Sequence, residues 1–118
     1  MLIGKKHFLT VGAMALAMAI AAPVSAQQKS VAVTAIVEHP ALDAVRDGVQ
    51  DALKAAGYEP GKNLKWQYQS AQGNNGTAAQ IARKFVGDKP DAIVAIATPS
   101  AQAVVAATKD VPVVYSAV

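Results

Sequence analysis

The sequence predicts an α/β fold in which a doubly wound parallel sheet carries helices on both faces. Short runs rich in Val, Ile and Ala alternate with longer segments whose apolar residues recur at steps of three and four. One of the short runs, residues 92–97, is apolar at every position, as is typical of a central strand covered on both faces. The connections are short, so the order βαβαβαβ predicts parallel strands with right-handed crossovers.

The first strand is predicted over residues 30–37, a β-branched apolar run. A helix should begin at Pro40, because the first helical position does not use the N–H that proline lacks. Gly57 is expected to end this helix in a left-handed cap. The apolar face of the helix recurs at helical spacing and comprises Leu42, Val45, Val49, Ala52, Leu53 and Ala56.

The second strand is predicted over residues 64–69. Apolar and polar residues alternate there, so one face of the strand should be exposed to solvent. Trp66 and Tyr68 share the apolar face, which favours core packing over a stacking platform. A loop over residues 71–76 should follow. The pattern at residues 77–80 fits a capping box, so it predicts the start of a second helix, which Gly87 closes.

The last strand–helix–strand unit begins with the apolar strand at residues 92–97. Thr98 and Pro99 should open a third helix, and residues 113–118 begin a fourth strand, where the sequence stops. Because a finished domain rarely stops in mid-strand, we expect the chain to be the front portion of a longer protein.

The first 26 residues have the pattern of a secretory signal peptide. Lys5 and Lys6 precede an uncharged, largely apolar run over residues 8–22, and Val24 and Ala26 occupy the −3 and −1 positions of a cleavage site. A membrane anchor would need about 20 apolar residues. We therefore predict cleavage after Ala26 and a mature protein that begins at Gln27 and is periplasmic.

Composition excludes several classes of protein. With 53% hydrophobic and 16% charged residues, the chain is not intrinsically disordered. It has no cysteine, which excludes disulfides, cysteine-ligated zinc and a thiol nucleophile. The formal charge of +3 includes the two signal-peptide lysines, and the remainder is nearly neutral, which gives no support to a nucleic-acid partner. His39 is the one histidine after the signal, so no metal site is predicted.

Enzyme motifs are missing where their chemistry would need them. The glycine-rich stretch at residues 73–77 has no lysine for a phosphate loop, and the turn at residues 38–40 has no glycine for a dinucleotide site. No Gly-x-Ser-x-Gly elbow is present. We therefore predict no catalytic residue and no cofactor.

Polar residues follow each predicted strand, at the edge where parallel α/β sheets bind ligands. Ser100 is the strongest candidate, because the N–H groups of Ser100 and Ala101 should be free at a helix N-terminus, which favours a carboxylate. A purely structural Ser100 stays open, and His39 has two equal readings, a helix cap or a ligand contact. The candidate ligand-binding residues are His39, Gln72, Thr98, Ser100, Ala101, Gln102 and Ser116.

The most distinctive segments read EHPALD at residues 38–43, AQGN at residues 71–74 and ATPSAQ at residues 97–102. With these segments the whole mature chain resembles the substrate-binding proteins of ABC importers, in the branch similar to tryptophan- and aromatic-amino-acid-binding proteins. The resemblance implies a type I periplasmic-binding-protein fold with two lobes and the ligand at the hinge. Residues 27–118 would be a partial N-terminal lobe.

The resemblance also implies partners and site residues. The ligand would be a small molecule such as an amino acid, delivered to the membrane subunits of an ABC importer. Family-type contacts map to the turn at His39, the loop at Gln72 and the helix start at residues 98–102. The second lobe, the hinge and the family's usual Thr-Asp-Pro after Val118 are not present. Two other classes stay open, a ligand-sensing module of a receptor and a secreted α/β enzyme.

Overall fold

The computed structural model describes residues 28–118, so the predicted signal peptide, its cleavage site and Gln27 lie outside the described residues. Strands and helices alternate along the chain and form one parallel sheet, which confirms the predicted α/β class. The elements are β1 (Lys29–Ala35), α1 (Pro40–Ala55), β2 (Leu64–Ser70), α2 (Asn75–Gly87), β3 (Ala92–Ile96), α3 (Thr98–Ala107) and β4 (Val113–Ser116).

The strand order is β2-β1-β3-β4, so the chain reverses its direction across the sheet between β1 and β3. From β1 it moves outward to β2, then returns past β1 to β3 and continues to β4. The register aligns Ala35 of β1 with Ser70 on one side and Ile96 on the other, and Ile96 aligns with Ser116. All four strands therefore end level at one carboxyl edge.

One face of the sheet, which we call the closed face, is covered by α2 and α3. Small residues let the two helices lie close to the strands, and Phe85 of α2 fills the centre, fully buried. The buried core of this face comprises Ala32, Ala71, Ala78, Ile81, Ala82, Phe85, Ile93, Ala95, Ala101 and Val104.

The opposite face, which we call the open face, is covered by α1 alone. None of the α1 residues is fully buried. Its predicted apolar face packs on the sheet through its Leu and Val residues, whereas Ala52 and Ala56 are exposed. Trp66 and Tyr68 pack there too, which confirms their place in the core. Beside α1 an apolar groove of about 340 Å³ lies over β3 and β4, and its lining is Val31, Val49, Ala52, Leu53, Ala92, Val94 and Val114.

The ends of α1 are where the sequence predicts them. Pro40 occupies the first turn, and the His39 Nδ1 accepts a hydrogen bond of 3.1 Å from the Ala41 N–H. At the other end Gly57 has φ +94°, the left-handed conformation that glycine adopts without a steric cost.

The predicted capping box at residues 77–80 is wrong. The second helix begins at Asn75, and its cap is Asn74, whose side-chain Oδ1 accepts a hydrogen bond of 2.9 Å from the Thr77 N–H. Asparagine is at least as good a cap as threonine, and it stands three residues earlier. The helix ends at Gly87, as expected.

Within residues 28–118, none of the helices has the length and apolar character needed to cross a membrane.

Candidate ligand-binding site

The four connections at the carboxyl edge are tied together in two pairs. The connection after β2 is joined to that after β1, because Ala71 N–H donates to the Ala35 carbonyl at 2.9 Å and Gly73 N–H to the Ile36 carbonyl at 2.6 Å. Ala97 N–H, after β3, donates to the Ser116 carbonyl of β4 at 2.9 Å. In the described part of the chain no backbone hydrogen bond beyond the strands joins the two pairs. The space between them, at the reversal between β1 and β3, is the candidate site, which we call the crevice.

On the β1 side of the crevice, residues 37–39 are exposed. The Nδ1 of His39 is occupied by the α1 cap, which confirms one of its two readings. Because Nδ1 accepts this hydrogen bond, Nε2 is the ring nitrogen left for another partner. A ligand contact of His39 stays a prediction.

The connection after β2 turns through two successive left-handed residues, Gln72 with φ +53° and Gly73 with φ +78°. The Gln72 N–H donates to the Ser70 Oγ at 3.1 Å, which holds this turn at the end of the strand. Gln72 itself is exposed at the carboxyl edge.

On the β3 side, a single residue, Ala97, connects the strand to α3. No side chain caps this helix, whereas α1 and α2 are capped by His39 and Asn74. Pro99 has no N–H, and the Ala101 N–H donates to the Ala97 carbonyl at 3.0 Å. The prediction of a free N–H at Ala101 is therefore wrong, because only the cap residue and the first three helical residues lack an intrahelical partner for their N–H groups, and Ala101 is the fourth helical residue.

The predicted site residues differ in how much surface they offer. Ser100 is fully buried, and its Oγ has no hydrogen-bond partner, so its hydroxyl does not face solvent. Ala101 is buried as well. Ser116 is partly exposed, and the exposed candidates are His39, Gln72, Thr98 and Gln102.

Two concavities lie beside the start of α3. An apolar one of about 440 Å³ lies between α3 and β4, with the lining Thr98, Ala101, Gln102, Val105, Ala106, Tyr115 and Val118. A second of about 340 Å³ contains Asn75, Ala79, Pro99, Gln102 and Ala103. Gln102 borders both. Sequence reasoning missed Tyr115 and Val105, although the alternation along β4 could have placed Tyr115 on the α3 side.

A charged cluster on the open face joins α1 to the edge strand β2. The Arg46 guanidinium lies 4.8 Å from the centre of the Tyr68 ring, and its Nε donates to the Asp47 carboxylate at 2.9 Å. That hydrogen bond raises the pKa of Arg46, while burial raises the pKa of Tyr68. The sequence analysis did not identify this contact between Arg46 and the Tyr68 ring. The cluster packs α1 on the sheet and contains no pair suited to proton transfer.

Among residues 28–118, His, Asp and Glu side chains do not gather in groups of three or more that could hold a metal ion.

Comparison with known proteins gives matches over nearly all the described residues. A family model for ABC transporter substrate binding proteins matches residues 30–118. The tyrosine-binding protein of Clostridioides difficile strain R20291 is 48% identical over 94 residues, which is 80% of this chain and 27% of that protein.

Solved structures agree. A conserved domain protein of Vibrio cholerae is 60% identical with a TM-score of 0.76, and the match covers 77% of this chain and 31% of that one. A ligand-free, open substrate-binding protein with adhesive properties from Clostridium difficile is 48% identical (TM-score 0.72, coverage 74% and 30%). The ABC domain from Streptococcus pneumoniae in complex with L-Trp is 34% identical (TM-score 0.72, coverage 75% and 30%).

These matches confirm the resemblance that the sequence carries. The relatives whose names state a function are substrate-binding proteins rather than enzymes. The chain spans less than a third of the length of each of these relatives.

Proposed function

The chain belongs to the family of ABC transporter substrate-binding proteins, and we propose that residues 27–118 form the N-terminal lobe of a receptor for an aromatic amino acid. The receptor works in the periplasm after removal of residues 1–26 and delivers its ligand to the membrane subunits of an ABC importer. A second lobe, for which the length of the relatives leaves room, closes over the ligand.

The observation that carries this proposal is the crevice itself. Its walls are two pairs of connections, each pair fixed by backbone hydrogen bonds, at the point where the strand order reverses. Ligands of open parallel α/β sheets bind at this point. Apart from Val37 and the carboxylate of Glu38, the exposed groups around it are neutral hydrogen-bonding side chains, which suit a small polar molecule that is held and released unchanged.

We place the carboxylate of the ligand at the start of α3. Thr98 and Ser100 lie in a first turn that no side chain caps, and the helix dipole favours a negative charge there. The exposed Thr98 and Gln102 side chains add hydrogen-bonding groups on this side. His39 and Gln72 face the ligand from the β1 and β2 side, and Ser116 completes the edge at β4.

The choice of an aromatic amino acid rests on the relatives, one of which is a tyrosine-binding protein and another a domain in complex with L-Trp. Because the chain covers less than a third of each, the second lobe contributes contacts that residues 27–118 do not contain.

The test is thermal unfolding of the protein expressed from its complete reading frame, with each of the twenty amino acids in turn. A ligand at 100 times its Kd should stabilise the protein by about 2.7 kcal/mol. We expect tyrosine or tryptophan to give the largest shift. A protein that no amino acid stabilises would contradict the proposed ligand class.

A second measurement tests the site. Gln102→Ala should weaken binding in calorimetry by about 1–3 kcal/mol, the usual cost of leaving a polar group of the ligand unpaired. The matched control is Gln80→Ala, because Gln80 is an exposed glutamine on α2 outside the proposed contacts. If both variants bind as the unmodified protein does, the ligand does not lie at the start of α3.

A further inference from the structure

Ala97 has a backbone conformation that alanine rarely adopts. Its φ is +77° and its ψ is 154°. This part of conformational space is occupied almost entirely by glycine, because a Cβ atom clashes there with the neighbouring backbone. Ala97 is also the whole connection between the end of β3 at Ile96 and the start of α3 at Thr98. A strained residue therefore sets the direction in which α3 leaves the central strand.

Backbone hydrogen bonds on both sides hold Ala97 in this conformation. Its N–H donates to the Ser116 carbonyl of β4, and its carbonyl accepts from the Ala101 N–H at the first turn of α3. The first bond fixes the turn to the sheet and the second fixes the helix to the turn. Together they tie the start of α3 to the strand ends that border the crevice.

A second non-glycine residue with positive φ offers a comparison at the opposite edge of the sheet. Lys89 has φ +51°, close to the ordinary left-handed value, and lies between α2 and β3. It is exposed and closes a turn in which its N–H donates to the Val86 carbonyl at 3.1 Å. Strain at Lys89 therefore serves a surface turn remote from the crevice.

We propose that Ala97 is a positioning residue of the ligand site. Its strained turn holds the first turn of α3 in one orientation, so the exposed side chains of Thr98 and Gln102 are in place before the ligand arrives. This inference rests on the proposed function, because it assigns Ala97 a role at the site placed there. A site that is ordered in advance binds more tightly, since the ligand does not have to order it.

Glycine at position 97 separates this role from a structural one. Glycine accepts the native φ and ψ without strain, which favours the folded state, but it also leaves the turn free to adopt other conformations. Ala97→Gly should therefore unfold at the same temperature or higher and yet bind its ligand more weakly. A residue that serves only the fold would not show this combination.

The experiment uses the protein expressed from its complete reading frame, with L-tyrosine and L-tryptophan as probes. Calorimetry should give a Kd for Ala97→Gly at least about fivefold above that of the unmodified protein, with an equal or higher thermal midpoint. Hydrogen exchange should show faster deuterium uptake in the peptide covering residues 97–104. Lys89→Gly is the matched control and should change neither the Kd nor the uptake of that peptide.

The outcomes are distinguishable. If the unmodified protein binds its ligand and Ala97→Gly binds within about twofold of it with unchanged exchange, the positioning role is wrong while the proposed function stands. If Ala97→Gly has a much lower thermal midpoint, Ala97 serves the fold, and the inference is overturned as well. If the unmodified protein binds neither probe, the proposed ligand class fails and the inference that rests on it fails too.

Discussion

The two faces of the sheet are built differently although the same strands supply both. On the closed face two helices with small residues lie against the strands, and Phe85 has no exposed surface. On the open face a single helix contributes only half-buried side chains, and Val114 of β4 keeps 55% of its surface exposed. The closed face also carries α2 and α3, whose first turns border the carboxyl edge. Rigid packing of these two helices therefore supports the part of the molecule where we place the ligand.

The two faces should contribute unequally to the free energy of unfolding. Free energy from apolar burial scales with the area removed from water, so α2 and α3, which have fully buried side chains, should contribute more than α1, which has none. Charged contacts occur on helices of both faces, between Arg46 and the carboxylates of Asp43 and Asp47 on α1 and between Lys84 and Asp88 at the end of α2. Surface ion pairs of this kind contribute little. The helices of the closed face should therefore stabilise the fold more than α1 does.

The largest expected effect comes from Phe85→Ala, which empties the centre of the closed face. Loss of a fully buried phenylalanine should lower the free energy of unfolding by about 3–5 kcal/mol, because burial is lost and a cavity remains. On the open face Leu53→Ala should cost about 1–2 kcal/mol, since Leu53 is only half-buried and the site can partly refill with water. Urea unfolding of the complete protein measures both values, and equal costs would contradict the difference between the faces.

Most of the fold could be predicted from the sequence because it depends on patterns of apolar residues. Continuous apolar runs predict β1 as a strand and β3 as a central strand, and in the sheet both are central. The start of α2 was missed because Asn74 and Thr77 are both good caps in a local pattern. Only the structure shows which one lies opposite the free N–H groups.

The candidate site was predicted less completely, for physical reasons. The conformation of Ala97 depends on bonds to Ser116 and Ala101, and alanine carries no local preference for positive φ. The burial of Ser100 depends on how α3 is rotated about its axis, and apolar residues on several sides of that helix leave the rotation undetermined in the sequence. The sequence identifies the polar residues at the strand ends, but it does not show which of them are exposed.

Thr34→Val should change the free energy of unfolding less, and it tests whether a buried hydroxyl on the closed face needs a hydrogen-bond partner. Thr34 is 1% exposed, and its Oγ1 has no hydrogen-bond partner. Thr34→Val keeps the shape and removes an unpaired hydroxyl, so we expect it to be neutral or to raise the free energy of unfolding by about 1 kcal/mol. Chemical denaturation of the complete protein measures the change.

The matched control is Thr108→Val at the end of α3. The Thr108 Oγ1 accepts hydrogen bonds from the Asp110 N–H at 3.1 Å and the Val111 N–H at 3.2 Å. The same substitution should therefore destabilise the protein by about 1 kcal/mol at this position. If Thr34→Val costs as much as Thr108→Val, the Thr34 hydroxyl has a partner, such as a buried water, and the closed face is less dry than the packing indicates.

The smallest expected effect lies on the open face and appears only at alkaline pH. Burial raises the pKa of Tyr68 above its ordinary value of 10.0, and the charge of Arg46 offsets part of this rise. Above pH 10 the unfolded chain therefore loses the Tyr68 proton before the folded one does, and the free energy of unfolding falls as the pH increases. Below pH 10 the contribution of Tyr68 is fully present.

Urea unfolding from pH 8 to pH 11 tests this. The free energy of unfolding should decline less steeply at alkaline pH for Tyr68→Phe than for the unmodified protein. Tyr115→Phe is the control for loss of a tyrosine hydroxyl, because the Tyr115 side chain is 60% exposed. Equal declines in all three proteins would mean that the Tyr68 hydroxyl is as accessible to water as that of Tyr115. In that case α1 does not exclude water from the open face.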